Sequence, residues 1–138
     1  HRSGTGSPDL PPPDFVVEAL FRSAKQASNH GYGGYYGTPG LRKAMAEYYE
    51  NRFGIELDPD REVCPLIGSK EGIAHIPLAF INPGAYALVP SPGYPVYHVW
   101  TGFAGGKSFF MPLKEEQGFL PDLDQIPPDV AEQAALIS

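Results

Sequence analysis

A chain of 138 residues is long enough for one domain with a real core, and its 42% hydrophobic and 19% charged content excludes a disordered polyelectrolyte. A formal net charge of −6 argues against a nucleic-acid groove or an anionic membrane surface, so any anion site has to be local. No run approaches the length of a membrane span, and no basic-apolar leader opens the sequence. The single cysteine, Cys64, cannot form an internal disulfide. As a buried, reduced thiol it fits a cytoplasmic setting.

Residues 1–11 form a turn-rich opening segment without periodicity, and Pro11 to Pro13 set the first turn of a helix rather than a polyproline ligand. That helix is predicted from about Pro12 to Ser28. Phe15, Val16, Ala19 and Leu20 form its apolar stripe, while Glu18, Arg22 and Lys25 face water. A loop dense in tyrosine and glycine follows from Gly31 to Gly40. On the residues alone, cover for core edges and plain flexibility stand beside a functional role for these tyrosines. Thr38 then caps a helix with Pro39 at its first position, running to Phe53 and closed by Gly54. Leu41, Met45, Tyr48 and Tyr49 make the inner face, and Arg42, Lys43, Glu47, Glu50 and Arg52 a solvated one.

The pattern then alternates. A short buried strand at Val63–Ile67 enters a turn at Gly68, and Ser69 caps a helix whose apolar stripe is Ile73, Ile76 and Phe80. Strands are predicted at Ala85–Pro90, Lys107–Pro112 and Ala134–Ser138. Between them lie a helix from Tyr94-Pro95 that breaks at Gly102, a loop from Gly118 to Pro128 with one helical turn, and a short helix at Asp129–Gln133. Strands alternating with helices define an α/β domain with a mostly parallel sheet. Ligands of such sheets bind at the carboxyl ends of strands, where the turns Gly68–Lys70 and Ser91–Tyr94 fall. A strand running into a helix through small residues leaves free N–H groups at the positive helix end, and Ser69 and Lys70 add a hydroxyl and an ammonium. An ordinary strand-to-helix corner with an exposed lysine is the other reading of the same residues. His30, His75 and His98 show no metal spacing, and no Gly-x-Gly-x-x-Gly or P-loop spacing marks a nucleotide site.

Four stretches occur in one order: Gly6-Ser7-Pro8-Asp9-Leu10-Pro11-Pro12-Pro13, Tyr35-Tyr36-Gly37-Thr38-Pro39-Gly40-Leu41-Arg42, Ile67-Gly68-Ser69-Lys70-Glu71-Gly72-Ile73-Ala74-His75 and Val89-Pro90-Ser91-Pro92-Gly93-Tyr94-Pro95-Val96-Tyr97. Together they resemble the class I/II aminotransferases, the fold-type-I pyridoxal-phosphate enzymes, and most of all those of the LL-diaminopimelate type. The resemblance spans nearly the whole chain, from about Gly6 to Ser138. It implies the cofactor pyridoxal 5'-phosphate, amino-acid and 2-oxo-acid substrates, and a homodimer. Residues 12–138 would then be the N-terminal portion of a three-layer α/β/α large domain, truncated and incomplete. By the same resemblance Gly6 meets the substrate carboxylate. Tyr35 reaches the cofactor phosphate of the partner subunit, with Tyr32 and Tyr36 as weaker neighbours. Ser69 and Lys70 cradle the phosphate, and Tyr94 stacks on the pyridine ring.

The family's Schiff-base lysine, the aspartate on the ring nitrogen and the arginine on the substrate carboxylate have no counterpart among these residues. A fragment, inactive alone, is therefore expected, and a non-catalytic phosphate- or partner-binding α/β module is the alternative. The resemblance further implies that the strand at Ala134–Ser138 is separated from the pair at Ala85–Pro90 and Lys107–Pro112 by one more strand. A gapped or rearranged sheet and an aggregation-prone chain are the corresponding expectations.

Overall fold

The computed structural model describes residues 8–138 and divides into a first unit ending at Pro65 and a second, Leu66–Ser138. Gly6 lies outside the described residues.

The first unit holds helix α1 (Asp14–Ala24), a 3-10 turn at Ala27–His30, and helix α2 (Pro39–Phe53). α1 is shorter than predicted, because Pro13 acts as its N-cap and the chain re-forms as a 3-10 turn after Gln26. None of its residues is buried: Phe15, Val16, Leu20 and Phe21 all face outward. α2 follows its sequence signals closely. The Thr38 hydroxyl accepts from the Leu41 N–H at 3.3 Å, Pro39 occupies the first turn, and Gly54 closes the helix in the left-handed region. Its expected inner face is uncovered within the unit, since Leu41, Met45, Tyr48 and Tyr49 are exposed and Ala46 alone is buried. Tyr48, Tyr49 and Phe53 instead pack on one another, with ring centroids 5.4–6.2 Å apart.

The second unit is built on a parallel sheet of β1 (Tyr86–Ser91), β2 (Lys107–Pro112) and β3 (Ala134–Ile137), in the order β2-β1-β3. Central β1 buries Ala87, Leu88 and Val89 in succession, as a strand covered on both faces must. Alternation sends Ala87 and Val89 to one side, where they meet Ile81, Tyr97 and Leu136. Helices α3 (Ser69–Phe80) and α4 (Val96–Phe103) supply that layer. Leu88 goes to the other side with Met111 and with Val130 of α5 (Pro128–Glu132). The result is a small version of the expected three-layer α/β/α arrangement.

Three expectations are corrected here. β3 pairs directly with β1, without an intervening strand. The Tyr86 N–H donates to the Gln133 carbonyl and the Ser138 N–H to the Leu88 carbonyl, both at 3.0 Å, so the ladder is filled and the sheet is continuous. Val63–Ile67 is not a strand. A strand exists only as a hydrogen-bonded pair, and among the described residues no neighbour pairs with this segment, so Cys64 is exposed and Ile67 is 93% exposed. The buried residues of α3 are Ala74 and Pro77, whereas Ile76 and Phe80 face outward. Its close neighbour is α4, where His75 meets Trp100 edge-on.

Candidate functional site

The sequence Gly68-Ser69-Lys70 forms the corner into α3. Gly68 is the N-cap, with φ 78° and ψ 152°, a region that L-residues with a Cβ scarcely enter. This corrects the expectation for Ser69, which is the first helical residue and makes no capping hydrogen bond. The corner is stabilised from below, where the Glu71 carboxylate accepts from the Ile67 N–H at 2.7 Å. The Gly68, Ser69 and Lys70 N–H groups, the Ser69 hydroxyl and the Lys70 ammonium have no hydrogen-bond partner among the described residues. Five donors are thus presented together at the positive end of a twelve-residue helix.

Tyr94 lies just beyond the carboxyl end of β1, after a turn containing a cis Ser91–Pro92 bond. Its ring meets Tyr97 edge-on, with centroids 5.9 Å apart, and stays 43% exposed. Connectivity puts Tyr94 and the α3 corner at the same end of the sheet. α3 leads through a short turn into the start of β1 and packs beside α4, and α4 returns from the end of β1 toward the start of parallel β2. Both helices therefore begin at the carboxyl ends of the strands, the side where α/β sheets bind ligands.

Tyr35 belongs to the first unit. The Gly37 N–H donates to the Gly34 carbonyl at 3.4 Å, closing a four-residue turn with Tyr35 and Tyr36 at its centre. Tyr32, Tyr35 and Tyr36 are all exposed, and Tyr35 fully so, at 103%. None of the three covers a core edge. Gly37 has φ 68°, and a Cβ added there would stand 2.9 Å from Pro65 Cγ, so neither the conformation nor the space admits another residue.

Sequence reasoning missed Arg42, assigned above to a solvated face. Its side chain is only 12% exposed and bonds four acceptors. Nη1 donates to the carbonyls of Tyr36 (3.1 Å) and Gly37 (2.9 Å), Nε to the Pro59 carbonyl (2.9 Å), and Nη2 to the Asp60 carboxylate (2.6 Å). The available signal was a cation in the opening turns of a helix with no acidic residue there, against the preference set by the helix dipole. His75 and His98 pack against Trp100 and Phe110, and among the described residues no group of three or more potential ligands could hold a metal.

A parallel sheet with helices on both faces, a donor-rich helix start and an aromatic ring at its carboxyl end define an α/β protein. Within that class, residues 4–137 match the family model "Aminotransferase class I and II", and the chain belongs to that family. It is 58% identical over 134 residues to an LL-diaminopimelate aminotransferase of Syntrophobacter fumaroxidans, covering 97% of this chain and 34% of that protein. The corresponding enzyme of Aquifex aeolicus is 54% identical over 134 residues, at 97% and 35% coverage. Among solved structures, substrate-bound BacF of Bacillus subtilis superposes with TM-score 0.84 at 42% identity, covering 97% of this chain and 34% of its own. The chain thus spans about a third of the length of the relatives it matches. Members of this family generally use pyridoxal phosphate and act on amino acids and 2-oxo acids as small-molecule substrates. No helix among the described residues is long and apolar enough to cross a membrane.

Proposed function

We propose that this chain is the N-terminal part of the cofactor-binding domain of a pyridoxal-phosphate-dependent aminotransferase acting on LL-diaminopimelate, a step of lysine biosynthesis. The α3 corner supports the reading most directly. A phosphate monoester is a compact dianion with three acceptor oxygens, and the unpartnered N–H groups, Ser69 hydroxyl and Lys70 ammonium match it in charge and in hydrogen-bonding sense. A half-exposed tyrosine at the same end of the sheet suits the flat ring joined to that phosphate. Residues and cofactor fit.

When bound, pyridoxal phosphate supplies a carbonyl that takes up the amino group and a ring that draws electrons from the substrate's α-carbon. In this proposal the chain's own residues bind and orient. Ser69 Oγ, Lys70 Nζ and the helix N–H groups fix the phosphate, and Gly68 lets the backbone approach it. Tyr94 holds the ring plane by stacking. Tyr35, from the partner subunit of a homodimer, adds a phenolic donor to the phosphate, and Gly6 meets the substrate carboxylate. No residue of the chain is assigned to proton transfer.

The test uses the full-length protein that contains this chain. Purified with pyridoxal phosphate, it should transfer the amino group of LL-diaminopimelate to 2-oxoglutarate, followed by glutamate release. Glutamate formation no faster than with free cofactor would defeat the substrate assignment. Failure of the apoprotein to take up pyridoxal phosphate would defeat the whole reading.

A further inference from the structure

We propose that Tyr97 is the positioning residue for Tyr94, setting the plane of the ring on which the cofactor stacks. The inference rests on the reading of Tyr94 given above. Tyr94 stands outside α4, whose first residue is Val96, and its ring is 43% exposed. An exposed ring beyond a strand end would ordinarily turn about its own side-chain bonds, and ordering it on binding would cost affinity. Here one wall is already in place. The Tyr97 ring stands at 84° to that of Tyr94 with centroids 5.9 Å apart, the edge-to-face arrangement that aromatic quadrupoles favour.

Tyr97 is itself anchored. It packs against the buried cluster of Ile81, Ala87 and Val89. Its N–H donates to the Tyr94 carbonyl at 3.2 Å, and its own carbonyl accepts from the hydroxyl of buried Thr101 at 2.8 Å. It also borders a cavity shared with Ile73 of α3, one helical turn along from Ser69. One residue thus links the stacking position to the helix that begins at the phosphate corner. The backbone before Tyr94 is constrained as well. A Cβ on Gly93 would overlap the Pro90 carbonyl oxygen, so the chain reaches Tyr94 by a path open to glycine. The contact between the tyrosines is ring against ring, and the Tyr97 hydroxyl is dispensable for it.

The experiment measures pyridoxal-phosphate affinity by spectrophotometric titration of the full-length apoenzyme, with the induced circular dichroism of the bound cofactor and the unfolding midpoint recorded for each variant. Tyr97→Leu is expected to weaken binding by about threefold to tenfold, the worth of an aromatic pair, and to reduce the induced signal. Tyr97→Ile, carried in parallel, has the same expectation and serves if the leucine variant does not fold. Tyr97→Phe keeps the ring and should bind within about twofold of wild type. Tyr94→Leu should lose about tenfold or more, and the Tyr94→Leu/Tyr97→Leu double variant should match it within about twofold, because Tyr97 acts only through Tyr94. Val89→Ala, in the same buried cluster, should lower the unfolding midpoint and leave affinity unchanged. Wild-type affinity in a folded Tyr97→Leu or Tyr97→Ile protein, or losses that multiply in the double variant, would overturn the proposal. So would a Tyr97→Phe protein as weak as Tyr97→Leu, which would make the hydroxyl the acting group, or an equal loss in Val89→Ala. A Tyr94→Leu protein of wild-type affinity would remove the Tyr94 reading itself, and the positioning role with it.

Discussion

The turn at Gly34–Gly37 and the corner at Gly68–Lys70 both expose hydrogen-bond donors, and they are held in opposite ways. The first is fixed from a distance, by Arg42 reaching across to Pro59 and Asp60 and by Pro65 filling the space beside Gly37. The second is fixed locally, by the backbone of Gly68 and one carboxylate, Glu71, four residues from the N–H it accepts. Nothing lies within 4 Å of a Cβ placed on Gly68. A crowded, cross-linked turn transmits any change into its surroundings, whereas an open corner absorbs it. The difference predicts where stability and where binding will suffer.

The largest effect is expected at the crowded turn. Gly37→Ala introduces a left-handed strain of about 1–2 kcal/mol and an overlap with Pro65 of roughly 1–3 kcal/mol. Denaturant unfolding of the full-length apoprotein should show a loss of about 2–5 kcal/mol. A loss below about 1 kcal/mol would mean that Pro65 yields and that the turn is not cross-linked as described.

Lys70→Ala addresses the open corner. Its ammonium has no partner among the described residues, so unfolding should change little. Cofactor affinity should fall about tenfold to a hundredfold through loss of a charge-assisted hydrogen bond. Unchanged affinity on titration would return Lys70 to an ordinary surface position.

Gly68→Ala separates conformation from crowding. Only the backbone region opposes it, at roughly 1–3 kcal/mol, so it should destabilise less than Gly37→Ala. The reverse order in the two unfolding curves would break the contrast between the turns. Glu71→Gln should have the smallest effect, about 0.5–1.5 kcal/mol for one weakened hydrogen bond at an exposed site. Hydrogen exchange should locate it at the Ile67 amide, and unaltered protection there would show that the carboxylate does not hold the corner.

The sequence by itself determined what rests on neighbours in the chain. Thr38, Pro39 and Gly54 bounded α2, because capping and left-handed closure use residues within a few positions of one another. Lys107–Pro112 was read as a strand and is β2, and the four ordered motifs identified the family that the comparisons support. Tertiary structure alone decided the rest. Leu66 and Ile67 have the composition of a buried strand, yet composition supplies no partner, and without pairing the segment stays exposed. β3 lies beside β1 because ladder bonds from Tyr86 and Ser138 select it, a choice between segments nearly fifty residues apart that no local pattern encodes. Arg42 looked like any exposed helix cation until the fold carried Pro59 and Asp60 to its guanidinium, since hydrogen bonding depends on distance in space and not along the chain.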